Sequence, residues 1–303
     1  LLKLLHHTDI DIVQWDYVVA NSPSRRIYAF SWYLDLFCQD WSGLVLESNN
    51  KYTMVMPVVY KRKFGIFNIL YQPYFCQQLG VFSLEKELNL IPILDFLNSK
   101  FFKIDYQFNS LNANSYFKLR PNYVLDMNRP YSDIEKKFKN TRKQELKKAQ
   151  KLNYQIDTNP ILTNVFENFY SQKKNVLIGS ITPAHFEILK KAIEYLIPLG
   201  KAKVYAIFEK DKISSCAMIL LDENKRAYLI FNYSDDFARK NYLNPLLISQ
   251  FIKEYAEKIE YLDFEGSSIE GVAKYYQSFG AMQENYPIYQ KINLFSLCFS
   301  FKY

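Results

Sequence analysis

A chain of 303 residues is long for one hydrophobic core and points to two domains. Its 49% hydrophobic and 23% charged residues are those of a globular protein and exclude intrinsic disorder, while 8 glycines leave little room for a phosphate loop built from a glycine run. The net charge of +7 is modest but clustered: over 129–151, nine Lys/Arg meet three Asp/Glu. Such a run suits phosphates on a cofactor, a nucleic acid or an anionic lipid, or simply solvates a helix face.

In chain order, Asp9 or Asp11 caps a first helix carrying Ile12, Val13 and Trp15, and a turn follows at 21–24. Residues 27–37 are helix-compatible. Residues 44–46 and 52–60 read as antiparallel strands around a Ser-Asn-Asn turn, with 61–63 closing the hairpin and a further strand at 67–71. A helix is expected over 84–100 and a strand over 102–108. Asn109, Asn112, Asn114 and Pro121 mark a loop at 110–130, which places a boundary between domains 1–120 and 121–303. Beyond it come a helix from Ser132 or Asp133 to about Lys151, a second over 162–174, and a third over 184–196 that opens on Thr182-Pro183. A meander follows at 204–208, 213–221 and 226–233. Then come a helix from Asn244-Pro245 to about Lys258, a strand at 261–264, a short helix at 269–279 and a strand at 286–294. The apolar tail at 292–299 reads as part of that last strand.

Cys38, Cys76, Cys216 and Cys298 lie far apart in apolar settings, without a C-x-x-C, and read as buried thiols of a reducing compartment. His6, His7 and His185 have no metal-ligand spacing, so no metal is expected. Asp9, Asp11 and Asp16 come too early for a signal peptide, and no apolar run reaches membrane-spanning length. The expectation is a cytoplasmic protein without an integral membrane segment.

"LVLESNNKYTMVMPVV" (44–59) echoes "YAIFEKDKISSCAMILL" (205–221), and "IPILDFLNSKFFKIDYQFNS" (91–110) echoes "PLLISQFIKEYAEKIEYLDFEGS" (245–267). Two echoes in the same order and at similar spacing point to a duplicated domain.

The order meander, helix, strand, short helix, strand is that of a GNAT module. "FEGSSIEGVAKYYQSFGA" (264–281) resembles the closing motif of Fem-type peptidoglycan-bridge aminoacyltransferases and their acyltransferase relatives, a strand, a small-residue turn and a helix reading F-K-x-x-F-G. "NTRKQELKKAQK" (140–151) resembles the basic helix that opens the second Fem domain; "IYAFSWYLD" (27–35) and "YQPYFCQQLGVFS" (71–83) resemble segments of uncharacterised bacterial proteins of this class. The resemblance implies an α/β (α+β) fold of two tandem GNAT-like modules, each a mixed, mostly antiparallel sheet flanked by helices. It implies transfer of an acyl or aminoacyl group to an amine or hydroxyl acceptor held in an interdomain cleft. No tightly bound cofactor is expected; acyl-CoA or aminoacyl-tRNA would serve as co-substrate, and the acceptor would be a small molecule or a cell-envelope precursor.

By that resemblance Arg239, Lys240, Asn241 and Asn244 would hold the donor, because GNAT enzymes cradle pyrophosphate on a loop Q/R-x-x-G-x-G/A at a helix start. Here the arginine is present and both glycines are not, and Tyr242 restricts close approach. Tyr276 stands where F-K-x-x-F-G has its lysine. Glu265, just past a strand end, is the candidate base or amine-orienting group, with turn capping as its structural role; Tyr276 is the candidate proton donor, with core packing as its alternative. Asp263 alternates with Glu265 and is expected on the same face, with Asp105 as its echo. Ser267, Arg62, Lys63, Gln77 and Gln78 complete the candidate acceptor contacts, although 61–63 also reads as a solvated hairpin end. Two other readings stay open: a non-catalytic relative that binds a ligand or partner, favoured by the missing glycines, and a basic nucleic-acid binder, which lacks a helix-turn-helix or RNA-binding pattern. DNA is not an expected partner.

Overall fold

A computed structural model describes residues 2–38, 40–85, 87–115, 117–172, 182–223, 225–266 and 268–293. The chain divides into two units, Leu1–Arg120 with Asn285–Tyr303, and Pro121–Glu284.

In the first unit the elements are β1 (Leu2–His6), α1 (Ile12–Asn21), α2 (Ser31–Phe37), β2 (Ser42–Ser48), β3 (Lys51–Val58), β4 (Tyr60–Lys63), β5 (Phe67–Tyr71), β6 (Phe82–Ser83), α3 (Ile91–Lys100) and β7 (Lys103–Gln107). Asp11 starts α1: its Oδ1 accepts the N–H groups of Val13 and Gln14, each at 3.1 Å. The Gln14 N–H bond leads the interactions that lower its pKa. One face of α1 buries Trp15, Val18 and Val19, and the Trp15 indole donates to Ala29 O at 2.8 Å. Strands β1-β2-β3-β6 form one sheet.

Two expectations shift here. The helix expected over 84–100 starts at Ile91, with Pro92 in its first turn and the strand β6 before it. Residues 61–63 belong to β4, paired with β5 from Tyr60↔Leu70 to Lys63↔Phe67.

The chain continues through β8 (Lys118–Asp126), α4 (Tyr131–Lys136), α5 (Asn140–Lys151), α6 (Leu162–Gln172), α7 (Pro183–Leu196), β9 (Ala202–Glu209), β10 (Lys212–Asp222), β11 (Arg226–Ser234), α8 (Asp236–Asn241), α9 (Leu243–Tyr255), β12 (Tyr261–Asp263), α10 (Glu270–Gln277) and β13 (Met282–Ile292). In the second unit the strand order is β8-β12-β11-β10-β9. All neighbours are antiparallel except β11 and β12. The meander residues alternate onto a core with α9, whose Leu247, Ile248, Phe251 and Ile252 are buried against Tyr205, Ile207, Ala217 and Ile219.

The region read as a loop at 110–130 contains β8. On the β12 side Pro121 is tolerated because that strand pairs with β8 only at 124–126, so no ladder bond there needs its missing N–H. The helix expected to reach Lys151 is two, α4 and α5, and in the break the Lys139 N–H bonds Ser278 O at 2.9 Å. From Asn285 the chain packs with the first unit, where β13 pairs antiparallel with β7 from Ile288↔Gln107 to Ile292↔Lys103. This completes the order β4-β5-β7-β13. Residues 294–299 of the expected tail strand, and Cys298, lie outside the described residues; Cys38, Cys76 and Cys216 are buried free thiols. Among the described residues no helix is long and apolar enough to cross a membrane.

Candidate functional site

In the second unit β12 pairs with β11 at only three positions, Arg226↔Tyr261, Ala227↔Leu262 and Tyr228↔Asp263. Residues 229–234 of β11 then run on with β10 alone, through Leu229↔Ile219 and Phe231↔Met218 to Ser234↔Ser215. The strands separate because β12 ends in a turn whose Glu265 and Gly266 are both left-handed, at φ 54° and 44°.

Asp263 anchors this turn. It is fully buried; its Oδ1 accepts from Asn122 Nδ2 (3.0 Å) and the Glu265 N–H (2.8 Å), and its Oδ2 from Arg226 (2.8 Å). Arg226 also reaches Glu284 at 3.2 and 3.4 Å and lies over the Tyr261 ring. Burial alone would lower the guanidinium pKa, but Asp263, Tyr228 and Glu284 outweigh it and raise it. A Cβ on Gly266 would lie 2.4 Å from Pro121 O and 2.7 Å from Asn122 Cα. Gly266→Ala is therefore expected to cost about 1–3 kcal/mol in urea unfolding, the usual penalty of overpacking.

Beside the open stretch of β11 lies a pocket of about 530 Å³. Asn232, Tyr233 and Ser234 of β11 form one wall, α10 supplies Gly271, Val272, Tyr275 and Tyr276, the α8–α9 corner supplies Arg239, Tyr242 and Asn244, and α5 supplies Arg142 and Glu145. Asn244 is a buried strut: its Nδ2 donates to Ser215 Oγ (3.2 Å) and Cys216 O (3.3 Å), and its Oδ1 accepts the Tyr275 hydroxyl at 2.6 Å. Arg142 is buried with its guanidinium 4.6 Å from the Tyr275 and Phe279 rings, donating to Ser278 Oγ (2.9 Å) and Glu145 (2.6 Å). Tyr276 is 9% exposed, stacks on Phe264 at 4.8 Å, and its hydroxyl makes no hydrogen bond to a described residue. Burial first, then the charges of Glu265 and Asp263, push its pKa up. It therefore keeps its proton at neutral pH and presents a hydrogen-bond donor in the pocket.

The residues singled out in the sequence fall into groups. Tyr276, Arg239 and Asn244 line the pocket. Half-buried Glu265 lies near enough to Tyr276 for its charge to act there. Asp263 and Glu265 do not share an open face, because the left-handed turn takes Glu265 out of the strand's alternation while Asp263 points into the core. The segment read as a donor loop is instead α8, capped by Asp235 through the Ala238 N–H at 2.7 Å, with Tyr242 at φ 57° turning the corner into α9. On α8, Arg239 is exposed and paired with Ser234 O (2.6 Å) and Asp236, Lys240 is exposed, and Asn241 Nδ2 bonds Phe237 O at 3.0 Å.

In the first unit Arg62 and Lys63 are exposed on β4. Gln78 is fully buried, accepting from Arg26 (3.4 Å) and the Ser110 N–H (3.2 Å) and donating to Gln77 (3.1 Å), so its amide is spent on local structure. Asp105 is exposed and accepts from Gln290 at 2.9 Å. Ser267 lies outside the described residues. The fold also gives His6 and His7 a neighbour that sequence spacing did not reveal: Asp40 lies beside them, with potential ligand atoms of all three within 4.8 Å and His6 Nε2 bonded to Asp40 at 3.0 Å.

Sequence reasoning missed Asn232, Gly271 and Val272 and did not give Arg142 a place in a pocket. The short β11–β12 pairing reveals Asn232, the packing of α10 beside it reveals Gly271 and Val272, and Arg142 is hidden within a run of basic residues whose other members are mostly exposed.

The sequence matches no protein-family model and no curated protein. Solved structures do match over nearly the whole chain. A FemX crystal structure aligns with a TM-score of 0.67 at 10% identity, covering 98% of this chain and 100% of that one. The tandem GNAT protein from the clavulanic acid biosynthesis pathway, solved without AcCoA, aligns with a TM-score of 0.55 at 9% identity, covering 96% and 98%. The chain has a tandem GNAT fold. A conserved protein of unknown function from Bacteroides thetaiotaomicron shares it, with a TM-score of 0.59 at 12% identity over 93% of this chain and 98% of that one. At these identities the likeness concerns the fold, and the chemistry must be argued from the pocket.

Proposed function

We propose that this protein transfers an acyl or aminoacyl group from a donor bound in the second-unit pocket to an amine or hydroxyl acceptor. The observation that carries the reading is the pocket at residues 232–234 of β11, within the stretch that β12 leaves uncovered, with Tyr276 in its wall. An extended donor arm with amide groups fits such a strand edge by adding to it as another strand would. The anionic end of the donor meets Arg239 and Lys240 on α8 and Lys148, whose ammonium lies over the Tyr242 ring.

The acceptor nitrogen or oxygen attacks the acyl carbonyl carbon and gives up its proton to Glu265. Tyr276 donates a hydrogen bond to the developing oxyanion or a proton to the leaving thiolate or alkoxide as the old acyl bond breaks. Glu265 then returns its proton to Tyr276 or to solvent, and both groups are reset. Acyl-CoA and aminoacyl-tRNA are the donors that the tandem GNAT fold and the Fem-type resemblance bring into consideration.

The test is a thermal-shift and calorimetry series with acetyl-CoA, longer acyl-CoAs and charged tRNA, since a ligand that binds only the native state raises stability. The Arg239→Ala/Lys240→Ala double variant is expected to weaken donor binding by about 1–3 kcal/mol, the size of charged hydrogen bonds. Unchanged affinity for every donor would place the anionic end elsewhere. A second reading, a ligand-binding protein without turnover, is favoured by one observation: α8 and Tyr242 occupy the position of the glycine loop. Tight donor binding without transfer to any acceptor class would select it.

A further inference from the structure

We infer that the β4–β5 hairpin of the first unit docks on an anionic membrane surface, an interaction that goes beyond the acyl-transfer reading. The hairpin closes at Lys63↔Phe67, and its tip is Phe64-Gly65-Ile66. Phe64 is 79% exposed and Ile66 54% exposed, at a turn where a Cβ built on Gly65 would meet no atom within 4 Å. Phe64 also sits at φ 54°, a left-handed conformation that disfavours a bulky side chain. Phe64 carries strain that Asn or Gly would avoid at this turn, and its exposed ring meets the Lys63 ammonium, 5.1 Å from the ring centroid. Lone exposed apolar residues are ordinary, but two at one tip form a patch.

The surrounding charge identifies the occupant. Lys61, Arg62 and Lys63 are all exposed on β4. Lys100 and Lys103, also exposed, flank the same strands: Asn68 Nδ2 reaches Lys100 O, and Lys103 pairs with Ile69. Neither 60–71 nor 98–103 contains an Asp or Glu. Lysine on β4, the last strand in its sheet order, is also a known guard against edge pairing, but that role has no need of Phe64 and Ile66. A nucleic acid would use the cations and the Phe64 ring but has no use for the aliphatic Ile66, which offers no ring for base stacking. An anionic bilayer uses both: apolar side chains enter the headgroup boundary while long basic side chains lie at the phosphate level.

The experiment is co-sedimentation of the full chain with vesicles of phosphatidylcholine alone and of phosphatidylcholine containing one third phosphatidylglycerol, at low and high salt. The expected result is binding to the anionic vesicles that weakens with salt and falls about tenfold in Phe64→Asn/Ile66→Ser, two apolar anchors being removed from an interface of this kind. Asparagine suits the left-handed position, so the melting temperature of that variant should hold or rise. Lys61→Glu/Arg62→Glu/Lys63→Glu should abolish vesicle binding. Equal binding by Phe64→Asn/Ile66→Ser and wild type, equal binding to neutral vesicles, or no vesicle binding alongside retention on heparin would each overturn the proposal. Donor affinity measured on Phe64→Asn/Ile66→Ser should stay at the wild-type value, so failure of membrane docking and failure of the acyl-transfer reading remain separate results.

Discussion

Replacing Asp263 with alanine is expected to cost about 3–5 kcal/mol of stability in urea unfolding, as removing one partner of a buried ion pair does. The loss has three parts in this chain. Among the described residues Arg226, itself buried, keeps only Glu284 as an ion-pair partner; Asn122 Nδ2 loses its acceptor; and the Glu265 N–H loses its bond at the left-handed turn. Asp263→Asn should fail nearly as badly, since a neutral amide leaves the Arg226 charge without its closest counterion. Arg226→Met combined with Asp263→Leu should recover much of the loss, because apolar residues of similar volume carry no desolvation penalty. A loss within about 0.5 kcal/mol for Asp263→Ala, the range of ordinary surface changes, would show that the turn is held by something else.

The second large effect concerns turnover. Tyr276→Phe removes one oxygen and keeps the ring that stacks on Phe264, and Glu265→Gln keeps shape while removing the base. Each is expected to lower the transfer rate about 100-fold, the usual contribution of a positioned acid or base. Tyr276→Phe should not change thermal stability by more than about 0.5 kcal/mol, because no described residue bonds the Tyr276 hydroxyl, whereas the stability of Glu265→Gln is read alongside its rate. Steady-state rates with saturating donor, set beside melting curves, check both. Intact turnover with a large stability loss in Glu265→Gln would make that residue a structural part of the turn.

The strand meander of the second unit and the helix after it were legible in the sequence, because 204–233 is three short, mostly apolar runs separated by polar turns, and Asn244-Pro245 falls within the first turn of α9. Asp11 and Thr182-Pro183 announced their helices by cap chemistry that depends only on neighbours. Strand β8 was hidden by Pro121 and the asparagines before it, and its place beside β12 is a long-range pairing that no local signal carries. The same limit applies to the site. Glu265 and Tyr276 stood out because their segment resembles a known closing motif. The burial of Asp263 and Gln78, by contrast, is decided by partners such as Arg226 and Arg26, 37 and 52 positions away. Helix α8 had a local signal, Asp235 followed by Asp236-Phe237-Ala238, which the expectation of a donor loop obscured.

The central claim is that the pocket beside β11 receives the acyl donor, and Gly271→Trp tests it most directly. Gly271 lies on α10 in the pocket wall, and a Cβ there meets no atom within 4 Å, so an indole can fill the cavity without displacing the fold. Calorimetric titration of wild type and variant with acetyl-CoA, longer acyl-CoAs and aminoacyl-tRNA is expected to show at least one donor bound by the wild type and weakened tenfold or more, roughly 1.4 kcal/mol, by the variant at an unchanged melting temperature. Equal binding of every such donor by the two proteins, or binding of none by the wild type, would contradict it.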